Sequence, residues 1–292
     1  MVRNGVSMYE KCANRNLTFI ILVNDEEIFK NNLLASPVLL DKENSEIIAQ
    51  RGFSSAATGY NAAIEAARND LLILAHQDIF FPTAWYSDLR TALEYMEKHD
   101  PEWGVLGCYG TTKENQRWGY LYSTKLGIIG EPLKRPMPVQ TLDEVVLVIR
   151  KSSGLHFNES LQHFHLYGTD ICLAAADRGR KCYAISAFCI HNTNYVSILP
   201  KEFYQCYNQI KARWYKYLPI QTPCVRITKL DKEVFIRKMK GLKMKILGKD
   251  KYRRNRVRNP HSICDELDLA SRVYGFLEPE LFQRRDQQEK ED

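Results

Sequence analysis

The chain has 292 residues, 45% of them hydrophobic and 26% charged, with a formal net charge of +6. This is an ordinary globular composition, with room for one large α/β domain or two small ones. No run of about eighteen apolar residues exists, the opening MVRNGVSMYEKCANRN lacks a stretch of signal-peptide length, and eight scattered cysteines form no CxxC pair; a membrane span, a leader, a zinc ribbon and a disulfide scaffold are therefore not expected, and reduced thiols in the cytoplasm are.

In chain order, LTFIILVN (Leu17–Asn24) reads as a buried strand, and Asp25-Glu26-Glu27 open a helix with acids where its dipole favours them. SEIIAQRG is a second strand, and an alanine-rich helix is expected from Gly59 to Arg68. LLILA (Leu71–Ala75) is the next strand, and it runs into His76-Gln77-Asp78. Pro82 suits a first helical turn, and Trp85, Leu89, Leu93 and Met96 recur at helical spacing until Asp100-Pro101. WGVLGCYG adds a strand, so the order βαβαβαβ predicts a mostly parallel sheet flanked by helices. Gly110 to Pro138 is irregular, and suits a loop or hairpin over a site. TLDEVVLVIRKS reads as one strand, followed by a loop, a helix from about Asp170, a turn at Gly179 and a strand ending at His191. The chain is helical after Pro200 and strongly basic after Arg226, which divides it into residues 1–225 and a basic, largely helical extension, 226–292.

Ligands of open α/β sheets bind beyond the carboxyl ends of the strands. His76-Gln77-Asp78, His191 and the helix beginning near Asp170 all fall at such an edge. Together they offer carboxylates and imidazoles, which with a diphosphate and water make a mixed oxygen/nitrogen site for Mn²⁺ or Mg²⁺. Each residue also has a plainer reading. Asp78 can cap the helix that follows, Asp170 can be an N-cap, and His191 can be a hydrogen-bonded edge histidine. His163 and His165 share a face if extended, which alone is a weak metal signal.

Two blocks, ATGYNAAIEAARNDLLILAHQDIFFPTAW and FHLYGTDICLAAADRGRKCYAISAFCIHNT, resemble family-2-type glycosyltransferases of the GT-A fold, most closely the streptomycin-biosynthesis glycosyltransferase-like subgroup. The resemblance spans roughly residues 17–225. It implies an α/β nucleotide-diphospho-sugar transferase fold and an inverting, cation-dependent transfer from a nucleotide sugar. In it, His76 stands where the first acid of a DxD metal motif is usual and Asp78 matches the second. Asp78 and His191 are then the implied metal ligands, and Asp170 the implied general base. Asn24, Asp25, Glu26, Tyr60, Asn61, His76 and Gln77 fall on the donor side. Asp143 and His165 are weaker acceptor-side candidates, with a surface turn equally open for Asp143. The acceptor is a glycan, a lipid-linked sugar or a small molecule.

The missing first DxD acid keeps open a non-catalytic nucleotide-sugar-binding protein. The basic tail raises a nucleic-acid-binding protein as a third, lesser reading. Within the tail, Phe235, Met239, Leu242 and Ile246 recur at helical spacing among lysines. Such a helix can lie peripherally on the anionic inner face of a membrane, or pack on the domain with a solvated basic face.

Overall fold

The computed structural model describes residues 16–40, 45–249 and 252–267. The first layer grows from β1 (Leu17–Leu22), α1 (Glu26–Asn31), the short α2 (Pro37–Leu40), β2 (Ser45–Gln50), α3 (Ala56–Ala66) and β3 (Leu71–His76). β2 and β3 both pair parallel to β1. β1 and β3 are apolar except for Thr18 and the terminal His76 because both faces of the sheet are covered, and their residues up to Ile21 and Ala75 are buried. α3 starts three residues before the expected Gly59, since the Ser55 hydroxyl caps it by accepting from Thr58 N–H at 3.3 Å. Gly59 lies inside the helix, where a Cβ would come within 2.7 Å of Leu22 Cδ2; its absence lets α3 lie close on β1.

Next come β4 (Ile79–Phe80), α4 (Trp85–His99), β5 (Val105–Gly107), β6 (Tyr109–Thr111), β7 (Arg117–Ser123), β8 (Gly127–Gly130), β9 (Met137–Val139), β10 (Thr141–Leu142) and β11 (Val146–Arg150). α5 (Tyr167–Asp177), β12 (Cys182–Ala184) and β13 (Cys189–His191) follow. The main sheet has the order β2-β1-β3-β11-β5-β12-β9. β5 and β12 are parallel, while β11 inserts antiparallel between β3 and β5. The single strand expected over TLDEVVLVIRKS is therefore two. The Asp143 carboxylate accepts from Val145 N–H at 3.2 Å and turns the chain, so that β10 joins a second sheet and β11 the first.

The second sheet runs β10-β6-β7-β13-β4, with β8 on the flank of β7. The irregular stretch from Gly110 is thus a hairpin, β7 against β8. Gly130 (φ +75°) makes it possible, because a Cβ there would fall 2.0 Å from the Gly119 carbonyl oxygen of β7. β3 and β4 follow one another in sequence but belong to different sheets, so His76-Gln77-Asp78 is the crossover between them.

The basic tail begins beyond β14 (Tyr195–Val196), α6 (Lys201–Arg213), β15 (Ile220–Gln221) and β16 (Arg226–Ile227). It contains α7 (Lys232–Ile246), β17 (Tyr252–Arg253) and α8 (His261–Glu266). A boundary at 225/226 does not describe its far end. β17 pairs with β14, and Ile263 is buried with Phe80, Tyr120, Phe188 and Ile190. No cysteine among the described residues is in a disulfide, and no described helix is long and apolar enough to cross a membrane.

α4 buries Trp85, Leu89, Leu93 and Met96 as their spacing predicts, but also Asp88, whose Oδ2 has no hydrogen-bond partner. Burial pushes the Asp88 carboxyl up to about 8, against the small opposing effect of the Phe188 N–H. The folded state then holds this proton more tightly than the unfolded chain, and stability falls as pH rises from the ordinary carboxylate range toward 8. Asp88→Asn is expected to melt higher than the wild type at pH 8 and equally at pH 4. Each kcal/mol recovered should appear as about 2–4 °C in a domain of this size, read by calorimetry across pH.

Candidate active site

The crossover between the sheets forms one wall of a cavity of about 420 Å³, within the usual size range of ligand pockets. Leu22, Val23, Asn24, Gln50, Gly52, Phe53, Tyr60, His76, Gln77, Asp78, Phe164 and Tyr167 line it. It lies beyond the carboxyl ends of β1, β2 and β3, where a parallel sheet offers its ligand edge. β11 runs the other way, so its amino-terminal end, with Asp143 and Glu144 just before it, arrives at the same edge. The Val145 carbonyl accepts from His76 N–H at 3.1 Å and ties the two together.

His76, Asp78 and His191 converge, with ligand atoms all within 4.8 Å of one another. β13 pairs with β4 in a register that sets His191 opposite Ile79, the neighbour of Asp78. His191 Nε2 stands 3.3 Å from Asp78 Oδ1, and the two imidazoles meet edge to face at 5.6 Å. Burial alone would raise the Asp78 carboxyl, but His191, His76 and Arg256 together outweigh it and hold the group below the ordinary carboxylate range. Burial lowers His76, reinforced by the neighbouring His191. For His191, burial is outweighed by Asp78 and the ring is raised. One carboxylate and two imidazoles are a donor set that suits a borderline divalent cation such as Mn²⁺. His76, expected on the donor side, thus stands inside the cluster of candidate metal ligands.

The flanking residues have distinct tasks. Gln77 Oε1 accepts from the backbone N–H of Asn24 (2.9 Å) and Asp25 (3.1 Å), which locks the crossover to the end of β1. The Tyr167 hydroxyl meets His76 Nε2 at 2.9 Å and donates to the Glu144 carbonyl at 3.2 Å, fixing the His76 ring from the first turn of α5. Tyr60 is buried in the cavity wall against Phe157 and Tyr167, with ring centroids at 5.4 and 5.3 Å. Burial raises its hydroxyl far above the ordinary tyrosine value. Phe53 and the more exposed Phe164 present aromatic surface to the cavity.

Five expected site residues do other work. Asp25 caps α1, accepting from Ile28 N–H at 3.0 Å, and Glu26 is engaged by Arg51. Asn61 brackets the backbone of Phe157, donating to its carbonyl and accepting from its N–H at 2.9 Å each. Asp170, the expected general base, has no exposed surface. It accepts from Trp214 Nε1 at 2.7 Å and from Asn158 N–H at 3.3 Å, with Arg213 Nε 3.4 Å away. Burial raises its carboxyl despite the Trp214 hydrogen bond and Arg213. Enclosed in this way and absent from the cavity lining, it anchors α5 to the end of α6. His165 stacks edge to face on Phe203 at 5.6 Å and does not line the cavity either. Asp143, half-buried, is close enough to favour the charged forms of both His76 and His191.

Sequence reasoning missed Phe53, Phe164, Tyr167 and Arg256. Tyr167 lay in the quoted YGTD block, three residues from the aspartate that drew attention. Arg256 carried no signal, because only the return of the tail places its Nη2 3.1 Å from Asp78 Oδ2.

The mixed α/β fold thus places a carboxylate–imidazole cluster at a strand-end cavity. The chain belongs to the glycosyltransferase-like family, whose model matches residues 18–215. It is similar to the protein described as ATP synthase subunits region ORF 6 of Fuscovulum blasticum, at 28% identity over 158 residues. The match covers 51% of this chain and 61% of that one, so the chain spans less than two thirds of this relative. Among solved structures it is similar to GalNAc-T7 with UDP, GalNAc and Mn²⁺ (TM-score 0.47, 9% identity, 70% of this chain and 49% of that). Others are the mannosyltransferase PcManGT of Pyrobaculum calidifontis with GDP-Man and Mn²⁺ (0.38, 11%, 62% and 59%) and TarS 1–349 of S. aureus (0.42, 13%, 68% and 64%).

Asp170→Ala would strand the Trp214 and Asn158 N–H groups, a loss of about 1–3 kcal/mol for each buried unpaired donor. The expected result is a clearly lower melting temperature, with nucleotide affinity of the folded protein unchanged. Full thermal stability with weakened catalysis would instead return Asp170 to the reacting centre.

Proposed function

We propose that this protein transfers a sugar from a nucleoside-diphosphate donor to an acceptor hydroxyl with inversion, using the His76–Asp78–His191 cluster at the donor diphosphate. The observation that carries this reading is the convergence of that cluster on the wall of a cavity of about 420 Å³ at the carboxyl edge of the sheet. A divalent cation held by Asp78 and the two imidazoles would offset the negative charge that grows on the leaving diphosphate.

The chain's own residues divide the remaining work. Asn24, fixed by Gln77, and the Phe53 ring receive the nucleoside, the ring offering a stacking face. Tyr167 holds His76 in one orientation. Asp143, outside the cavity lining but beside both histidines, is the carboxylate assigned as general base. As the acceptor oxygen forms its bond to the anomeric carbon, the bond from that carbon to the phosphate oxygen breaks. The nucleoside diphosphate leaves with the electron pair, and the acceptor proton passes to Asp143. The two relatives whose descriptions print UDP or GDP-Man with Mn²⁺ support this substrate class.

Release of nucleoside diphosphate from a panel of UDP- and GDP-sugars with Mn²⁺ tests the activity. In that assay Asp143→Asn should lower kcat by about 10²–10⁴ while leaving donor affinity in place. A normal kcat removes Asp143 from the proton path.

The same reading places the enzyme at an anionic membrane surface, acting on a lipid-linked or surface glycan acceptor. α7 docks through Val234 and Gly241, where even a Cβ would approach Ile198 to 3.2 Å. Phe235, Met239, Leu242 and Ile246 lie within about 60° of arc on another face, and all are exposed, Ile246 at 74%. Lys232 and Lys243 flank this stripe on one side, Lys238 and Lys245 on the other, and all four are exposed. An apolar stripe between lysines suits the boundary between acyl chains and anionic headgroups, each cation near the surface adding about 1 kcal/mol. The protein should cosediment with phosphatidylserine-containing vesicles but not with neutral ones, and Phe235→Ser with Ile246→Ser should abolish it. Vesicle binding that ignores both substitutions, or salt-sensitive binding to nucleic acid alone, would contradict the assignment.

A further inference from the structure

The basic tail does not simply extend away from the catalytic domain. Its far end, residues 252–267, crosses back over the site and is fastened by Asn192 and Asn194, just past β13. Asn194 Oδ1 accepts from the backbone N–H of both Asn255 and Arg256 at 3.1 Å. The fully buried Asn192 grips Val257, donating to its carbonyl and accepting from its N–H at 2.9 Å each. Further along, Ile263 enters the satellite core, and His261 meets Phe80 edge to face at 4.6 Å. Between these fixings, Arg256 donates through Nε to the Asn192 carbonyl at 2.8 Å and through Nη2 to Asp78 Oδ2 at 3.1 Å. His191, the last residue of β13, takes the other oxygen of Asp78.

We infer that Arg256 is a built-in counter-cation of the donor-diphosphate site, making that site attract the diphosphate first and a free divalent cation only weakly. The inference rests on the functional reading above. Its basis is charge. The Arg256 guanidinium sits 3.1 Å from Asp78 Oδ2 and offsets that carboxylate, whereas a site with two acids and no arginine would leave its negative charge uncompensated. A guanidinium already paired with the ligand carboxylate disfavours a lone dication and favours a polyanion, since the fork of N–H donors matches phosphate oxygens. A bound diphosphate supplies the negative charge that a cation then needs. The immobilised backbone around Asn255–Val257 fixes the guanidinium in place, so little side-chain freedom remains to be lost on binding.

Two affinities measured separately by calorimetry on the full chain test this: inorganic pyrophosphate without metal, and Mn²⁺ without any phosphate. Arg256→Gln should weaken pyrophosphate binding by about fivefold or more and strengthen Mn²⁺ binding by a similar factor, the scale set by partly exposed ion pairs. A merely structural role moves both affinities the same way, because a loosened strap damages the whole site. Arg256→Lys, which keeps the charge and more of the packing, should retain the wild-type Mn²⁺ affinity and part of the pyrophosphate affinity. Parallel changes in Arg256→Gln, no change, or a lysine variant that behaves like glutamine would overturn the inference while leaving the functional reading in place. If the wild type binds neither pyrophosphate nor any UDP- or GDP-sugar, the functional reading fails and this inference falls with it.

Discussion

The structure turns on one short constraint: β3 leaves the main sheet at His76, and the chain must enter the second sheet at Ile79. Only Gln77 and Asp78 separate the two, and each is held in place. Gln77 is fixed to the end of β1, and the Asp78 carbonyl accepts from Asn192 N–H at 2.9 Å. A buried strand is a rigid mount, and a crossover pinned between two sheets cannot drift. The side chains it carries therefore sit at a fixed place beyond the carboxyl edge, which is where the ligand cavity has to be.

The electrostatics follow from that placement. A carboxylate taken out of water is stable only when partners offset its lost hydration. Asp78 has three: His191 on one oxygen, Arg256 on the other, and His76 nearby. Tyr167 fixes His76 in turn, so the first turn of α5, the crossover and β13 meet at a single charged group. The same logic read in reverse explains Asp170. It is also buried and hydrogen-bonded, but its partners Trp214, Asn158 and Arg213 enclose it instead of leaving one side to a cavity.

Much of this was legible in the sequence where local pattern and burial agree. LTFIIL and LLILAH are continuous apolar runs, and such runs are strands covered on both faces. HQD at the end of one of them marked the site, and His191 after AFCI marked its partner. The donor-side residues were only partly legible, because Asp25 and Asn61 are polar residues whose hydrogen bonds serve the backbone, a use that position in the sequence does not distinguish from ligand binding. Asp143 was visible but ambiguous. Its place beside the histidines depends on β11 running antiparallel, and a parallel reading of the sheet hides that. Arg256 could not be found from sequence at all. It lies 178 residues beyond Asp78 in a stretch that reads as undifferentiated basic charge, and only long-range pairing of β17 with β14 brings it home.

The central claim is that Asp78 and its two histidines hold a divalent cation against the donor diphosphate. Crystals grown with Mn²⁺ and UDP or GDP, with data collected at an energy where manganese scatters anomalously, test it most directly. The account predicts one strong anomalous peak about 2 Å from an Asp78 oxygen and from a ring nitrogen of His76 or His191, with the diphosphate as its remaining ligand. A diphosphate bound in this cavity with no ion at the cluster, or an ion bound elsewhere while Asp78 keeps its contacts with Arg256 and His191 alone, would contradict it.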